Sequence, residues 1–172
     1  TPNVLFEEKT DEMLEQTLGT TVWAAWWAMR EAMPLMKKRG GGSIINFYSI
    51  DTEIGAWLHA DYNTAKSAIL GLTRSAASEW GRFNIRVNAI APTAMGATFH
   101  KLAAERPGFA EMSASMRPLG RCGEPEDDIG PVVAFLASEM ARFVTGEALH
   151  VDGGLHLPGY NSRPANVLPR EY

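Results

Sequence analysis

The feature that most constrains the fold is an alternation between long segments with helical spacing and short, nearly continuous apolar runs. In this chain of 172 residues, apolar side chains recur every three or four positions from Leu14 to Met36 and from Ala65 to Trp80. The run Ser43–Tyr48 between them is apolar at almost every position, which is typical of a strand covered on both faces in a parallel sheet. Helix and strand keep alternating beyond it, so the sequence predicts an α/β fold with parallel pairing.

The ends of the predicted elements can be placed from their residue types. Thr10 is expected to cap the first helix, and Lys37–Gly42 to end it, because basic side chains complement the negative helix end and glycine accepts left-handed backbone. The run Ser43–Tyr48 is expected to be a central strand. Further expectations are a helix end at Gly81, strands at Ile85–Ala91 and Gly146–Val151, a helix start at Glu124–Asp128, and a candidate mobile lid at Thr93–Gly120. Trp23, Trp26 and Trp27 are expected in the core or in a subunit interface.

Composition excludes several classes of function. The net charge is -4 and there is no block of Lys and Arg, which disfavours a nucleic-acid partner. The longest apolar run, around Val22–Met29, is too short to cross a bilayer, so no membrane partner is expected. Cys122 is the single cysteine, and no Cys or His cluster has metal-ligand spacing. We therefore expect a cytoplasmic protein without a metal site, folded as a single domain over residues 1–172 with a C-terminal tail at 155–172.

Three polar residues form a candidate catalytic set. Tyr62 and Lys66 lie four positions apart in a predicted helix, so both side chains emerge on one face. A nearby ammonium favours the phenolate, so Lys66 is expected to lower the pKa of Tyr62. Ser49 follows the strand Ser43–Tyr48, at the edge where open parallel sheets bind ligands. A Tyr-x-x-x-Lys spacing alone is weak, because composition gives it about a one-in-ten chance of arising.

Four segments in order strengthen this hypothesis. They are Gly42-Ser-Ile-Ile-Asn46 leading to Ser49, Tyr62-Asn-Thr-Ala-Lys66, Arg86-Val-Asn-Ala-Ile-Ala-Pro92, and Val144-Thr-Gly leading to Val151-Asp-Gly-Gly154. Through them the chain resembles the short-chain dehydrogenase/reductase family from about Phe6 to Gly154. The resemblance implies a Rossmann-like, doubly wound parallel sheet and NAD(P)-dependent interconversion of an alcohol and a ketone or aldehyde. It makes Tyr62 the general acid-base, Lys66 the residue that lowers the pKa of Tyr62 and binds the nicotinamide ribose, and Ser49 the group that orients the substrate oxygen.

The resemblance also implies which residues contact NAD or NADP. These are Tyr62, Lys66, Pro92, Thr93, Met95 and Thr98. The family usually has glycine where Thr93 stands and asparagine where Thr21 stands, and a threonine hydroxyl offers fewer hydrogen-bonding groups than an amide. The candidate substrate pocket includes Trp57, His59 and Phe99, for which ordinary packing or surface roles are equally open.

The glycine-rich turn that holds the dinucleotide in such folds does not occur in this sequence. By the resemblance, roughly 80 to 90 residues would precede Thr1, at ~30 residues per βαβ unit. Three interpretations stay open: a fragment of a full enzyme, one chain of a split or cleaved enzyme, or a module without cofactor binding that acts in structure or oligomerisation. The expected partners are a small carbonyl or alcohol substrate and further copies of the chain, in a homodimer or homotetramer formed through the two long helices.

Overall fold

The computed structural model of the protein describes residues 1–162. The α-helices are α1 (Asp11–Leu18), α2 (Ala24–Arg39), α3 (Asp51–Ile54), α4 (Ala60–Trp80), α5 (Ala97–Glu105), α6 (Phe109–Ser115) and α7 (Gly130–Ala137). The strands are β1 (Gly42–Phe47), β2 (Ile85–Pro92) and β3 (Ala148–Val151). Two π-helical turns, Gly19–Trp23 and Pro125–Ile129, precede α2 and α7. The predicted tail at 155–172 therefore lies partly outside the described residues.

The three strands form one sheet in the order β1-β2-β3. Strands β1 and β2 run parallel, with Gly42 opposite Ile85 and Phe47 opposite Ile90. This confirms the predicted α/β class with parallel pairing. In the described residues β1 lies at an edge of the sheet and β2 at its centre, so the predicted central position of the first strand is not seen there. An apolar run indicates that both faces of a strand are covered, but it does not indicate whether a strand pairs with it on one side or on both.

The hydrophobic core of the sheet consists of two clusters between the strands and the long helices. One contains Met29, Ala76, Ala77, Ile85 and Val87. The other contains Tyr48, Ile69, Ala89 and Ala91. Helices α2 and α4 therefore bury their inner faces against β1 and β2, and they fix where the chain enters and leaves the sheet.

The first predicted helix has the expected ends but an interrupted middle. The Thr10 hydroxyl accepts a hydrogen bond from the Met13 amide at 3.3 Å, and Gly40 has φ +86°, so both caps are confirmed. The π-helical turn Gly19–Trp23 separates α1 from α2. A turn of this kind takes in one extra residue and shifts the apolar stripe slightly, which is why spacing alone suggested one uninterrupted helix.

The three tryptophans do not belong to the core. Trp23, Trp26 and Trp27 are 50%, 42% and 57% exposed. The part of the prediction that placed them in the core is wrong, because each keeps two fifths or more of its surface exposed.

Two other local expectations can be compared with the structure. The predicted helix end at Gly81 is confirmed, because α4 ends at Trp80 with Gly81 as its C-cap, but Gly81 has right-handed backbone and the left-handed residue is Asn84, with φ +58°, three positions later. The segment Thr93–Gly120 contains the helices α5 and α6, although its sequence has no clear periodicity. Both helices are short, so their apolar spacing spans too few turns to be recognised.

Contacts group the described chain into two compact units. The first combines Thr1–Ala91 with Phe135–Leu149, and the second combines Pro92–Ala134 with residues 150–162. Among these residues no helix has both the length and the hydropathy that crossing a membrane requires.

Candidate active site

Ser49 is positioned by the end of β1. The strand is followed by Tyr48, which is 2% exposed and donates its amide hydrogen to the Ile90 carbonyl at 2.9 Å. The chain then turns into α3, whose first residue, Asp51, donates its backbone N–H to the Ser49 hydroxyl oxygen at 3.2 Å. The Ser49 side chain is thereby held at the carboxyl end of the strand, where the sequence predicted it.

Tyr62 and Lys66 occupy the first turns of α4. Between them, Ala65 is fully buried, and Ile69 follows at 3% exposure, so this helix face lies against the sheet. The Lys66 ammonium nitrogen donates to the Phe47 carbonyl at 3.0 Å and lies 5.7 Å from the centre of the Tyr62 ring. The four-residue spacing thus brings a phenol and an ammonium to the end of β1 together, as expected.

The Ser49 and Tyr62 side chains are joined by a hydrogen bond. Because the Ser49 oxygen already accepts the Asp51 amide hydrogen, its own proton can be donated towards the Tyr62 oxygen. The three predicted catalytic residues therefore form one group, in which Tyr62 has a hydroxyl beside its oxygen and an ammonium beside its ring.

The proton affinity of Tyr62 differs from the sequence-based expectation. Burial raises the pKa of Tyr62 above its ordinary value, the hydrogen bond with Ser49 acts in the opposite direction, and the Asp51 carboxylate raises it further. Burial also lowers the pKa of Lys66. The prediction that the pKa of Tyr62 is lowered is therefore wrong for this structure, because burial of the phenol has the largest effect and the Asp51 carboxylate acts in the same direction.

Two residues of the loop between Ser49 and Tyr62 add to this group. The Nδ1 atom of His59 lies 2.9 Å from the Asp51 carboxylate oxygen. The His59 ring stands edge-on to the Tyr62 ring, with centroids 5.8 Å apart. Sequence reasoning named His59 as a pocket residue but missed Asp51, because an acid at a helix start looks like an ordinary helix-dipole residue.

The remaining candidate substrate residues behave differently. Trp57, on the same loop, is 84% exposed. Phe99 belongs to the second compact unit, where its ring lies 5.4 Å from that of Phe109. Of the three predicted pocket residues, the structure therefore brings His59 to Tyr62 and leaves Trp57 on the loop surface.

The other predicted cofactor contacts, Pro92, Thr93, Met95 and Thr98, all belong to the second unit. The Thr93 amide donates to the Val151 carbonyl at 3.0 Å, and the Met95 amide donates to the Gly123 carbonyl at 2.8 Å. The Thr93 hydroxyl oxygen is buried without a hydrogen-bond partner, and Thr98 is exposed in the first turn of α5. Thr93 thus retains a polar group that the described residues do not satisfy.

Thr21, at the position where the family usually has asparagine, lies in the middle of the π-helical turn Gly19–Trp23. Turns of this kind occur often at functional sites. Within residues 1–162, no three His, Cys, Asp or Glu side chains are grouped so that they could hold a metal ion.

Comparison with known proteins gives a consistent result. Residues 2–156 match the sequence profile of a family described as enoyl-(acyl carrier protein) reductase. The chain is 39% identical over 151 residues to L-rhamnose 1-dehydrogenase (NAD(P)(+)) of Azotobacter vinelandii, covering 87% of this chain and 59% of that protein. It is 38% identical over 149 residues to galactitol 2-dehydrogenase (L-tagatose-forming) of Cereibacter sphaeroides, covering 86% and 58%. The chain therefore spans about three-fifths of the length of these relatives.

Solved structures support the same fold. A short-chain type dehydrogenase/reductase from Mycobacterium ulcerans superposes with a TM-score of 0.82 at 30% identity, covering 89% of this chain and 55% of that one. ElxO with NADP bound superposes with a TM-score of 0.82 at 28% identity, covering 95% and 64%. The predicted Rossmann-like class is confirmed by these likenesses.

Proposed function

Because the chain belongs to the short-chain dehydrogenase/reductase family, we propose that the protein carrying it is an NAD(P)-dependent oxidoreductase. It would interconvert an alcohol and a ketone or aldehyde by hydride transfer, with Tyr62 as the general acid-base. The observation that carries this proposal is the placing of a serine hydroxyl and a lysine ammonium beside Tyr62 at the end of β1. Since the chain spans about three-fifths of its relatives, the activity is proposed for the whole protein.

Each of the three side chains has a definable task. In the reductive direction the Tyr62 hydroxyl gives its proton to the substrate carbonyl oxygen, and the Ser49 hydroxyl donates a hydrogen bond to the same oxygen. In the oxidative direction the Tyr62 phenolate accepts the alcohol proton. When bound, the nicotinamide supplies or accepts the hydride. Lys66 places a positive charge beside the ring and so stabilises the phenolate left after proton transfer.

The raised pKa of Tyr62 gives the two directions different pH dependences. At neutral pH the phenol is protonated, so the proton needed for reduction is in place. Alcohol oxidation needs the phenolate, whose population grows as the pH rises towards the pKa of Tyr62. We therefore propose that oxidation gains rate with rising pH while reduction does not.

The donors available in the chain fit part of a nicotinamide cofactor. Lys66 and Tyr62 present an ammonium and a hydroxyl of the kind that binds ribose oxygens. By family resemblance Thr98 is the proposed contact to the nicotinamide carboxamide, and Pro92, Thr93 and Met95 are proposed as further contacts to the cofactor. Within residues 1–162 the buried Thr93 hydroxyl has no hydrogen-bond partner, so it is available for such a contact. We propose NAD or NADP as the cofactor.

The exposed tryptophans favour assembly. Trp23 and Trp27 stack with ring centroids 5.9 Å apart, and Trp26 lines a small cavity of about 130 Å³ with Leu72, Trp80 and other residues of α2 and α4. Large exposed aromatic side chains are typical of subunit interfaces. We propose a homodimer or homotetramer through α2 and α4, in a protein of the cytoplasm whose single cysteine, Cys122, is buried and free.

The test of the proposed function is the substitution Tyr62→Phe in the protein carrying this chain. Removing the hydroxyl should lower turnover by about 10²- to 10⁴-fold while leaving NAD(P)H binding intact, because general acid-base catalysis contributes a factor of this size. Turnover is followed by nicotinamide absorbance across a panel of sugars, polyols and ketones, and binding by NAD(P)H fluorescence. Full activity in the variant would refute the role of Tyr62. Absence of saturable NAD(P)H binding would favour the alternative, a structural module.

A further inference from the structure

A short series of contacts runs through the loop from Ser49 to Tyr62 and returns to its starting point. The Ser49 hydroxyl accepts the Asp51 amide hydrogen at 3.2 Å. The Asp51 carboxylate holds the His59 Nδ1 atom at 2.9 Å, and the His59 ring lies edge-on to Tyr62. Tyr62 in turn hydrogen-bonds the Ser49 side chain. The contact between Asp51 and His59 therefore joins two side chains within the loop, and Ser49 and His59, near its two ends, both lie beside Tyr62.

The loop backbone has a conformation that a contact of this kind helps to hold. Leu58, directly before His59, has φ +67°, a left-handed conformation that is unfavourable for a residue with a branched side chain. A conformation of this kind persists when neighbouring contacts fix the chain on either side. The bond between Asp51 and His59 is such a contact, and it is part-buried, with side chains 27% and 30% exposed.

We propose that Asp51 and His59 are positioning residues of the candidate site, in which His59 holds Asp51 and the pair keeps the Ser49 hydroxyl directed at Tyr62. This inference rests on the proposed function of Tyr62. It goes beyond that function because it assigns a role to two side chains that need not touch substrate or cofactor.

The charges around Tyr62 determine what the pair should do. Among the described residues, the charged or titratable groups that face Tyr62 are Asp51 and His59 from the loop and Lys66 from α4. Asp61, the neighbour of Tyr62 in sequence, is held by an ion pair with Lys9. The negative charge of Asp51 and the hydrogen bond from Ser49 have opposite effects on the Tyr62 phenol, so removing one or the other should shift its titration in opposite directions.

The experiment is an NMR titration of protein labelled with ¹³C in the tyrosine ring, with Tyr62→Phe used to assign the signal and circular dichroism to monitor folding. Asp51→Asn keeps a hydrogen-bond acceptor for His59 but removes the charge, so the Tyr62 midpoint should move down. His59→Ala removes the contact with Asp51, so the Ser49 bond should weaken and the midpoint should move up. His59→Asn should restore the wild-type midpoint, because the asparagine amide nitrogen is bonded to Cγ as Nδ1 is in histidine.

The chain offers a matched control. Asp152 and His156 form a comparable pair at 3.0 Å in the second compact unit. His156→Ala should leave the Tyr62 midpoint unchanged, and an equal shift there would overturn the proposal. So would unmoved midpoints in both Asp51→Asn and His59→Ala.

A crystal structure of His59→Ala provides a second measurement for the case in which alkaline pH unfolds a variant. Loss of the bond between Ser49 and Tyr62 supports the proposal, and an unchanged bond overturns it. Neither measurement requires turnover. A protein that shows the expected shifts but never oxidises or reduces a substrate would refute the proposed function and leave the positioning role standing.

Discussion

Two ion pairs in this chain have nearly the same nitrogen–oxygen distances and very different surroundings. The Lys9 nitrogen lies 2.7 Å from the Asp61 carboxylate, with side chains 8% and 2% exposed. Two guanidinium nitrogens of Arg121 lie 2.6 and 2.7 Å from the two carboxylate oxygens of Asp128, but these side chains are 52% and 28% exposed. Both acids stand at the start of a helix. The difference teaches that distance alone does not rank ion pairs, because the free energy at stake depends on how much water each charge has lost.

Both acids have pKa values well below the usual range, for different reasons. Burial alone would raise the pKa of Asp61, but hydrogen bonds from Lys9, from the hydroxyls of Thr1 and Thr17 and from the Tyr62 amide outweigh it. For Asp128 the hydrogen bonds from Arg121 come first, followed by the Glu124 amide. Asp61 directly precedes Tyr62, so the buried pair also fixes the first turn of α4, on which the proposed chemistry depends.

The largest effect is expected from Lys9→Met. It leaves the Asp61 carboxylate buried without its cation, which typically costs about 3 to 5 kcal/mol in the free energy of unfolding. Denaturation in urea measures the loss. The double variant Lys9→Met/Asp61→Leu should recover most of it, since both charges are then gone. If Lys9→Met lowers the free energy of unfolding by no more than the loss of an exposed ion pair would, then Asp61 is better hydrated than its burial implies.

A smaller loss should follow from Thr17→Val. The Thr17 hydroxyl donates to Asp61 at 2.7 Å, and a hydrogen bond to a charged group contributes about 1.5 to 3 kcal/mol. Valine keeps the shape of the side chain and removes the donor. Thr20→Val is the control, because the Thr20 hydroxyl donates to backbone carbonyls in the last turn of α1 and not to a carboxylate. Equal losses in the two variants would mean that the network around Asp61 has no special strength.

Acid should weaken the buried pair in a predictable direction. The folded-state pKa of Asp61 lies below its unfolded value, so its contribution is complete above the unfolded value of about 3.9 and is lost as the pH falls towards the folded value. The stability difference between wild type and Lys9→Met should therefore narrow as the pH drops from 5. Urea denaturation at a series of pH values follows it. If the stability difference between wild type and Lys9→Met stays constant to the lowest pH measured, then the ion pair between Lys9 and Asp61 is not its source.

The smallest effect is expected from Arg121→Gln. The pair with Asp128 is exposed, so both charges stay largely hydrated and their attraction adds little to the free energy of unfolding. Salt should screen this attraction further. The thermal midpoint of the variant should lie close to that of wild type, and the gap should shrink further at high ionic strength. A drop as large as that of Lys9→Met would break the comparison and show that burial is not what separates the two pairs.

The sequence predicted features with a local physical signature. The Thr10 cap, the Gly40 end and the parallel strands follow from residue type and spacing, and the spacing of Tyr62 and Lys66 was enough to place them on one helix face. The ion pair between Lys9 and Asp61 joins residues that are far apart in sequence, and nothing local marks it. The raised pKa of Tyr62 was missed because it depends on burial, which spacing does not measure.

The edge position of β1 has a consequence for the exchange of its amide hydrogens with solvent. The Gly42 and Tyr48 amides donate to the Asn84 and Ile90 carbonyls, so amides of even number along β1 point towards β2. In the described residues those of odd number, Ser43, Ile45 and Phe47, point to the open edge. Deuterium uptake should therefore alternate residue by residue along β1, fast at odd positions and slow at even ones. A further strand laid against this edge, from this chain or another, would remove the alternation.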